Sequence, residues 1–178
     1  VFYDFSEIGK NVPNRLVGGF DDEFQGDMVP RVTYMGDPYS CAFSGKALTF
    51  FSSRNLASPE LLEQRTIEER IDSVFYSDEY AAAIVRNTNG EYGSRLEVYK
   101  KDGTHVLSKE FNFEYTHADF DGDLIILYNE DSCRIYNMSG TEKFDATFDF
   151  PVSRIRKGRF PGTLVVTGPQ QMRELKLH

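Results

Sequence analysis

The sequence predicts an all-β protein made of about three and a half to four β-propeller blades, each a four-stranded antiparallel sheet. The first observation is a repeat: residues 98–104 recur as residues 135–141, 37 positions later. The second is another repeat, in which residues 120–126 recur as residues 160–166 at a spacing of 40. The third is the succession of short apolar runs and Gly, Asn or Asp turns. A period near 40 residues with about four strands is typical of a propeller blade.

Four blades can be assigned along the chain, which we treat as one partial propeller over residues 1–178. We expect them at residues 32–70, 71–114, 115–150 and 152–178. The second strand of each blade is its most apolar segment: residues 40–43, 81–85, 124–127 and 164–166. A strand covered on both faces should lack alternation of polar and apolar residues. The third strands do alternate, which predicts one buried and one more exposed face.

The fourth blade has room for only three strands. Residues 1–31 contain two short strand candidates, residues 2–5 and 15–20, and we expect this region to supply outer strands of a neighbouring blade. Because propellers carry 4–8 blades, we expect the chain to be part of a larger ring. Its end faces would then be covered by upstream blades or by a second copy of the chain.

One segment also fits a helix. Ser58 followed by Pro59 resembles a helix start, with Ser as N-cap and Pro at the first helical position. That pattern alone predicts a helix over residues 59–71. The blade repeat instead places an outer strand near residues 64–67, and we favour the strand because tertiary context overrides local propensity.

The composition is that of a globular chain that can bury a core, with 40% hydrophobic and 27% charged residues among 178. Acidic residues outnumber basic ones by 28 to 20. This balance argues against a nucleic-acid partner, because phosphate binding needs a basic surface. The apolar runs are far shorter than the roughly 20 residues of a membrane span. Since the chain opens with Val1 rather than Met, we expect a processed chain or a fragment of a longer protein.

One acidic segment has the spacing of a calcium-binding loop. Its carboxylates are Asp119, Asp121, Asp123 and Glu130. Two features argue against calcium. Leu124 stands where the loop needs a Gly for its sharp turn, and residues 124–127 belong to a predicted buried strand. We therefore expect a hairpin turn between two strands of a blade, and no metal site.

Two loops are candidates for binding a partner, since propeller function usually resides in loops held by rigid blades. The first is the acidic cluster Asp21, Asp22 and Glu23, followed by Asp27; the alternative is a solvated surface. The second is the connection over residues 87–94, with Asn89, Gly90 and Tyr92; the alternative is a long hairpin connection.

The remaining charged and sulfur-containing residues favour structural roles. Four cations in residues 154–159 could meet an anionic ligand, but we favour pairing with carboxylates of the same chain. Cys41 and Cys133 are far apart and form no CxxC motif, so we expect two buried, reduced thiols. We expect no cofactor.

The chain resembles an uncharacterised family of Firmicutes β-propeller proteins with WD-repeat or quinoprotein-like blades. The resemblance covers nearly the whole chain and is carried by residues 73–80, 101–103, 110–115 and 133–140. It implies a longer protein with an N-terminal membrane helix, more blades before Val1 and an extracytoplasmic position; a cytoplasmic position is the alternative. The family supplies no catalytic residues.

Two classes of function remain. The first is a non-catalytic binding or scaffold propeller whose loops contact a protein, peptide or glycan. The second is an enzyme or cofactor-binding propeller of the quinoprotein type, with carboxylates, His and Arg converging on the central channel. We favour the first, because the blades come without a G-x-S-x-G, P-loop or G-x-G-x-x-G motif. His105 and His117 also have no nucleophile at a recognisable spacing.

Overall fold

Four antiparallel sheets follow one another in the computed structural model, which describes residues 2–3, 16–24, 26–55, 57–87 and 91–177. Blade 1 comprises β3 (Arg31–Tyr34), β4 (Tyr39–Phe43), β5 (Ala47–Ser52) and β6 (Glu60–Thr66). Blade 2 comprises β7 (Ile71–Tyr76), β8 (Tyr80–Arg86), β9 (Ser94–Lys100) and β10 (His105–Phe111). Blade 3 comprises β11 (His117–Asp121), β12 (Leu124–Tyr128), β13 (Ser132–Asn137) and β14 (Glu142–Thr147). Blade 4 comprises β15 (Arg154–Lys157), β16 (Thr163–Thr167) and β17 (Met172–Lys176).

Strands within each blade are hydrogen-bonded in chain order, so each blade is an antiparallel meander. The first strands of blades 2 and 3, β7 and β11, contact each other. The first strand of each blade is therefore innermost and the last outermost, as in a propeller. The predicted all-β propeller fold is confirmed. Among the described residues, no helix is long and apolar enough to cross a membrane.

Apolar cores lie between successive blades and hold them together. In β8, Ala81 and Ala83 pack toward blade 1, whereas Ala82 and Ile84 pack toward blade 3. The strand β12 is likewise shared between the cores on its two sides. These second strands lack alternation because a neighbouring sheet covers both of their faces.

The second strand of blade 4 departs from this pattern. In β16, Leu164 and Val166 are fully buried against blade 3. Thr163, Val165 and Thr167 on the opposite face are only half-buried. The prediction that this strand lacks alternation is wrong, because no described sheet covers its second face.

The 37-residue repeat reflects a contact between blades. Gly103 and Gly140 occupy equivalent turns between the third and fourth strands, and both have positive φ, 86° and 78°. A Cβ on Gly103 would lie 2.5 Å from the Cβ of Glu63 in blade 1. A Cβ on Gly140 would lie 2.9 Å from Leu107 Cδ1 in blade 2. Each turn thus presses against the outer strand of the preceding blade, where only Gly fits without a shift.

The segment that resembles a helix start forms β6. This strand pairs along its length with β5, with Leu48 opposite Arg65 and Phe51 opposite Leu61. The strand prediction is correct because the edge of the sheet outweighs the capping pattern of Ser58 and Pro59.

Before blade 1, β1 (Phe2–Tyr3) pairs with β2 (Leu16–Gly18) in a separate two-stranded sheet. Neither strand pairs with β17, so these described residues do not complete blade 4. A single turn of 3-10 helix, Asp21–Phe24, follows β2.

Candidate binding surface

One face of the blades carries the connections between second and third strands and those between successive blades. We call this the loop face and define it by residues 87, 91–93, 112–116, 129–131 and 148–153. Its loops are tied together: Gly93 N–H donates to the Asn112 side-chain oxygen at 2.7 Å. Across blades 3 and 4, Val152 N–H donates to the Glu130 carbonyl at 2.6 Å. Loops held in this way are suited to binding a partner.

A polar cleft of about 840 Å³ opens on the loop face between blades 2 and 3. Its base is fixed by a hydrogen bond of 2.7 Å between the hydroxyls of Ser73 and Tyr115. Burial raises the pKa of Tyr115, so its phenol stays neutral at physiological pH. At the rim, the Asn129 side chain donates to the Glu114 carbonyl at 2.7 Å and accepts from Ser132 N–H at 2.8 Å. The cleft is therefore preformed by bonds within the chain.

The rim of the cleft carries an excess of negative charge. Asp72 is neutralised by Arg86 at 3.0 Å and by Arg70 at 3.4 Å. Three further carboxylates line the same cleft and are exposed: Glu114, Glu130 and Asp131. Within the described ranges, none of these three makes an ion pair. They are available to a cationic group of a ligand.

Three of the four candidate calcium ligands bind the basic segment of blade 4 instead of forming a metal-binding loop of their own. Arg156 donates to Asp119 at 2.6 Å, and Lys157 contacts Asp123 through Nζ at 2.6 Å. The Lys157 backbone N–H donates to Asp121, also at 2.6 Å. Glu130 lies beyond the opposite end of β12, on the loop face. The four carboxylates are thus not brought together, and the basic segment meets carboxylates of its own chain at Arg156 and Lys157, as expected.

The two described histidines that an enzymatic site could use lie in different places. His117 is on the inner strand β11, and His105 is on the outer strand β10. His117 stacks on Tyr128 with the ring centroids 4.8 Å apart, and its Nδ1 lies 2.9 Å from the Thr116 hydroxyl. His105 lies instead in the groove between blades 1 and 2, 3.1 Å from the buried Glu97. Ser108 donates to Glu97 rather than to His105. The Ser108 hydroxyl is thus bonded to Glu97, and the Thr116 hydroxyl beside His117 also donates to the Tyr128 carbonyl at 3.4 Å.

The other predicted loop residues are only partly within the described chain. Asn89 and Gly90 lie outside the described residues, and Tyr92 on the loop face is 38% exposed. Asp22 and Glu23 are exposed in the 3-10 turn that also contains Asp21. Phe24 of that turn packs on Phe51 of blade 1, with ring centroids 6.3 Å apart. The turn is thus anchored by an aromatic side chain that the sequence reading did not single out.

Both cysteines are buried and unpaired, Cys41 in β4 and Cys133 in β13. Burial raises the pKa of the Cys41 thiol far above its usual value, and that of Cys133 to about 12. Thiols in this state are poor nucleophiles. They belong to the cores between blades and not to a reactive site.

Sequence reasoning missed the cleft. Glu114 and Tyr115 lie in the connection from blade 2 to blade 3, and Asn129 and Asp131 in a short hairpin turn of blade 3. Both connections are inconspicuous in the sequence. The available signal was topological: in an antiparallel meander, these two kinds of connection must emerge on the same face.

The fold and the cleft define the class of protein, a β-propeller with a polar loop face. The sequence matches a family of unknown function, DUF5711, over residues 1–177, and the chain belongs to that family. None of the curated proteins compared with the chain matches it.

Several solved structures resemble the chain in fold. A segment of HIRA matches with a TM-score of 0.53 and 11% identity, covering 80% of this chain and 49% of that one. Kluyveromyces lactis Hsv2 matches at 0.50 and 9%, covering 86% and 47%. BBS1N, solved in complex with ARL6DN, matches at 0.50 and 10%, covering 84% and 52%. The chain spans about half the length of these structures, and such low identities show the fold alone.

Proposed function

We propose that the chain is a non-catalytic binding module that holds a cationic segment of a protein partner in the loop-face cleft between blades 2 and 3. The observation that carries the proposal is the set of three exposed carboxylates, Glu114, Glu130 and Asp131, around a preformed polar cleft. A cleft of about 840 Å³ has the size of a ligand site. Its frame is held by bonds within the chain, so little ordering is needed on binding.

The wall of the cleft favours a peptide over a glycan. Sugars commonly stack on exposed aromatic faces, and the cleft is lined by two aromatic rings, Phe113 and the half-buried Tyr115. For Phe113 this face is not free. The Arg134 guanidinium already covers this ring, with its central carbon 5.3 Å from the ring centroid. A Lys or Arg side chain, in contrast, would find carboxylate acceptors at the rim without breaking an ion pair, although Asp131 Oδ1 already accepts from the Ser132 hydroxyl at 2.6 Å.

The comparisons support protein binding as a function that this fold allows. BBS1N is a protein of similar fold that was solved with a bound protein, ARL6DN. This likeness supports the general point that a protein of this fold can bind another protein through its surface. The ligand chemistry rests on the cleft itself.

The same proposal includes a cellular position. The resemblance to Firmicutes propeller proteins supports a bacterial, extracytoplasmic module held at the membrane by a segment upstream of Val1. Protease added to intact cells should then degrade the natural protein. Resistance in intact cells and degradation only after lysis would contradict the extracytoplasmic position.

A titration with short model peptides tests the cleft. We expect a Lys-rich peptide to shift the NMR signals of residues 113–116 and 129–131, and a Glu-rich peptide of equal length to leave them unchanged. Neutralising the rim with Glu114→Gln, Glu130→Gln and Asp131→Asn should weaken Lys-peptide binding by about tenfold, since charged contacts dominate such a site. Glu68→Gln, Asp78→Asn and Glu174→Gln together are the matched control, which removes three exposed carboxylates elsewhere. Equal binding by the rim variant and the control would contradict the proposal, as would preferential binding of an oligosaccharide.

A further inference from the structure

The hairpin before blade 1 lies over the outer half of that blade. Phe2 in β1 packs on Phe51 in β5, with ring centroids 5.9 Å apart. Gly18 in β2 lies beside Pro59, next to the start of β6; a Cβ there would be 3.4 Å from the proline ring. Phe20, just after β2, packs on the same Phe51 at 5.1 Å. The hairpin β1–β2 therefore stands where the two outer strands of a preceding blade would stand.

The inner half of the same face is open. An apolar cavity of about 480 Å³ lies there, and its lining includes Phe2, Val29, Val32, Tyr34 and Ala42. Val32 and Tyr34 are 67% and 64% exposed although they lie on the inner strand of a blade. A large exposed apolar patch of this kind marks an interaction surface.

Blade 2 shows how this face looks when a blade covers it. Val74 and Tyr76 of β7 occupy the positions that Val32 and Tyr34 occupy in β3, opposite the second strand of their blade. Val74 is half-buried, and Tyr76 is 37% exposed. Phe43 of blade 1 packs on Tyr76 at 6.1 Å. The equivalent aromatic neighbour of Tyr34 is missing from the described chain.

The order of the strands identifies what is missing. In blades 1 to 3 the inner strand comes first in sequence and the outer strand last, and the chain then passes to the inner strand of the next blade. The passage from β2 to the inner strand β3 has this form. By the same order, β2 is the last strand of a blade, β1 is the strand before it, and two inner strands precede β1.

We propose that β1 and β2 are the last two strands of a further blade, and that the first two strands of this blade pack into the apolar cavity. The occupant is a pair of antiparallel β-strands that precede Val1 in the same polypeptide. One pairs with the free edge of β1, and the inner one packs an apolar or aromatic side chain on Tyr34, as Phe43 does on Tyr76. The solved structures that this chain resembles are about twice its length, which accords with further blades.

Photo-cross-linking in the full natural protein tests this assignment. Tyr34 is replaced by benzoylphenylalanine, and the cross-linked peptides are identified by mass spectrometry. The expected product is an intramolecular cross-link to a peptide that precedes Val1. Benzoylphenylalanine at Tyr92, on the loop face, is the control and should not give that product. A cross-link to blade 4 of a second copy would overturn the assignment, as would the absence of any cross-link at position 34 to the same chain.

Chemical labelling gives an independent readout if the bulky photoreactive group perturbs the fold. In the full natural protein, Val32→Cys should react with a maleimide about tenfold more slowly than in denaturant, because a packed strand excludes the reagent. Tandem mass spectrometry assigns the label to position 32, so that Cys41 and Cys133, which also react in denaturant, are not counted. Tyr92→Cys should react at similar rates in both conditions. Free labelling of Val32→Cys in the native protein would overturn the proposal. Protection that disappears on dilution would show that a second copy, and not the same chain, covers the cavity.

Discussion

The Arg156 guanidinium donates to the Asp119 carboxylate at 2.6 Å, across the interface between the inner strands of blades 3 and 4. Each residue belongs to a local run of like charge. The acidic run has the spacing of a metal-binding loop, and the basic run that of an anion-binding strand. In the fold the two runs meet, and Lys157 adds a second pair with Asp123. The acidic and basic runs therefore form ion pairs between blades 3 and 4.

The pair Asp119–Arg156 should show measurable but modest coupling. Both side chains are more than a third exposed, so solvent screens the attraction. A double-mutant cycle with Asp119→Ala and Arg156→Ala should give a coupling free energy of about 0.5–1 kcal/mol in urea unfolding. Added salt should reduce it. A coupling near zero at low salt would show that the two side chains do not hold the blades together.

The turn glycines permit a matched comparison of backbone strain and crowding. Gly103 and Gly162 both have positive φ, 86° and 73°. A Cβ at Gly103 meets Glu63 at 2.5 Å, whereas a Cβ at Gly162 meets nothing within 4 Å. Gly103→Ala should therefore cost about 2 kcal/mol more free energy of unfolding than Gly162→Ala, which carries only the cost of the left-handed backbone. Equal midpoints in denaturant for the two variants would contradict the tight contact between blades 1 and 2.

The blades were predictable because the sequence patterns that mark them are local. Apolar second strands recur at each blade, and the packing of Gly103 and Gly140 against the preceding blade explains why Gly recurs at that turn. The burial of a whole strand on both faces also follows from its composition, as in residues 81–85. β16 is one exception, since its burial depends on whether another sheet lies beside it. The third strand β9 is another: the predicted alternation is wrong, because Glu97 and Tyr99 are buried as well as Leu96 and Val98.

The candidate site was not predictable in the same way. The cleft arises where two loops from different blades meet, and neither loop has an unusual composition. The pairing of Asp119 with Arg156 joins residues far apart in sequence. Contacts of this kind are decided by how the sheets stack, which single-strand patterns do not specify.

The ion pair between Glu69 and Arg95 should contribute to stability only above acidic pH. The hydrogen bond from Arg95, at 2.7 Å, holds the pKa of Glu69 below its usual value of 4.5. Because the folded-state pKa is the lower one, the contribution is present above pH 4.5 and is lost as pH falls through the folded-state pKa. Thermal unfolding followed from pH 7 to pH 3 should show a smaller acid-induced drop in Tm for Glu69→Gln than for the unmodified chain. Glu68→Gln, one residue away and without an ion pair among the described residues, is the control and should leave the drop unchanged.

The two thiols should not react with thiol reagents in the folded protein. Cys41 and Cys133 are fully buried in different cores between blades. The thiolate is the reactive form, and burial raises the pKa of Cys133 to about 12 and that of Cys41 further. A disulfide-exchange reagent at pH 8 should therefore report almost no free thiol in native buffer and two per chain in denaturant under non-reducing conditions. The rate in native buffer should follow the rate or extent of unfolding, since reaction requires opening of a core. Rapid reaction of either thiol in native buffer would show that its core is open, and fewer than two thiols in denaturant would show that the cysteines are oxidised.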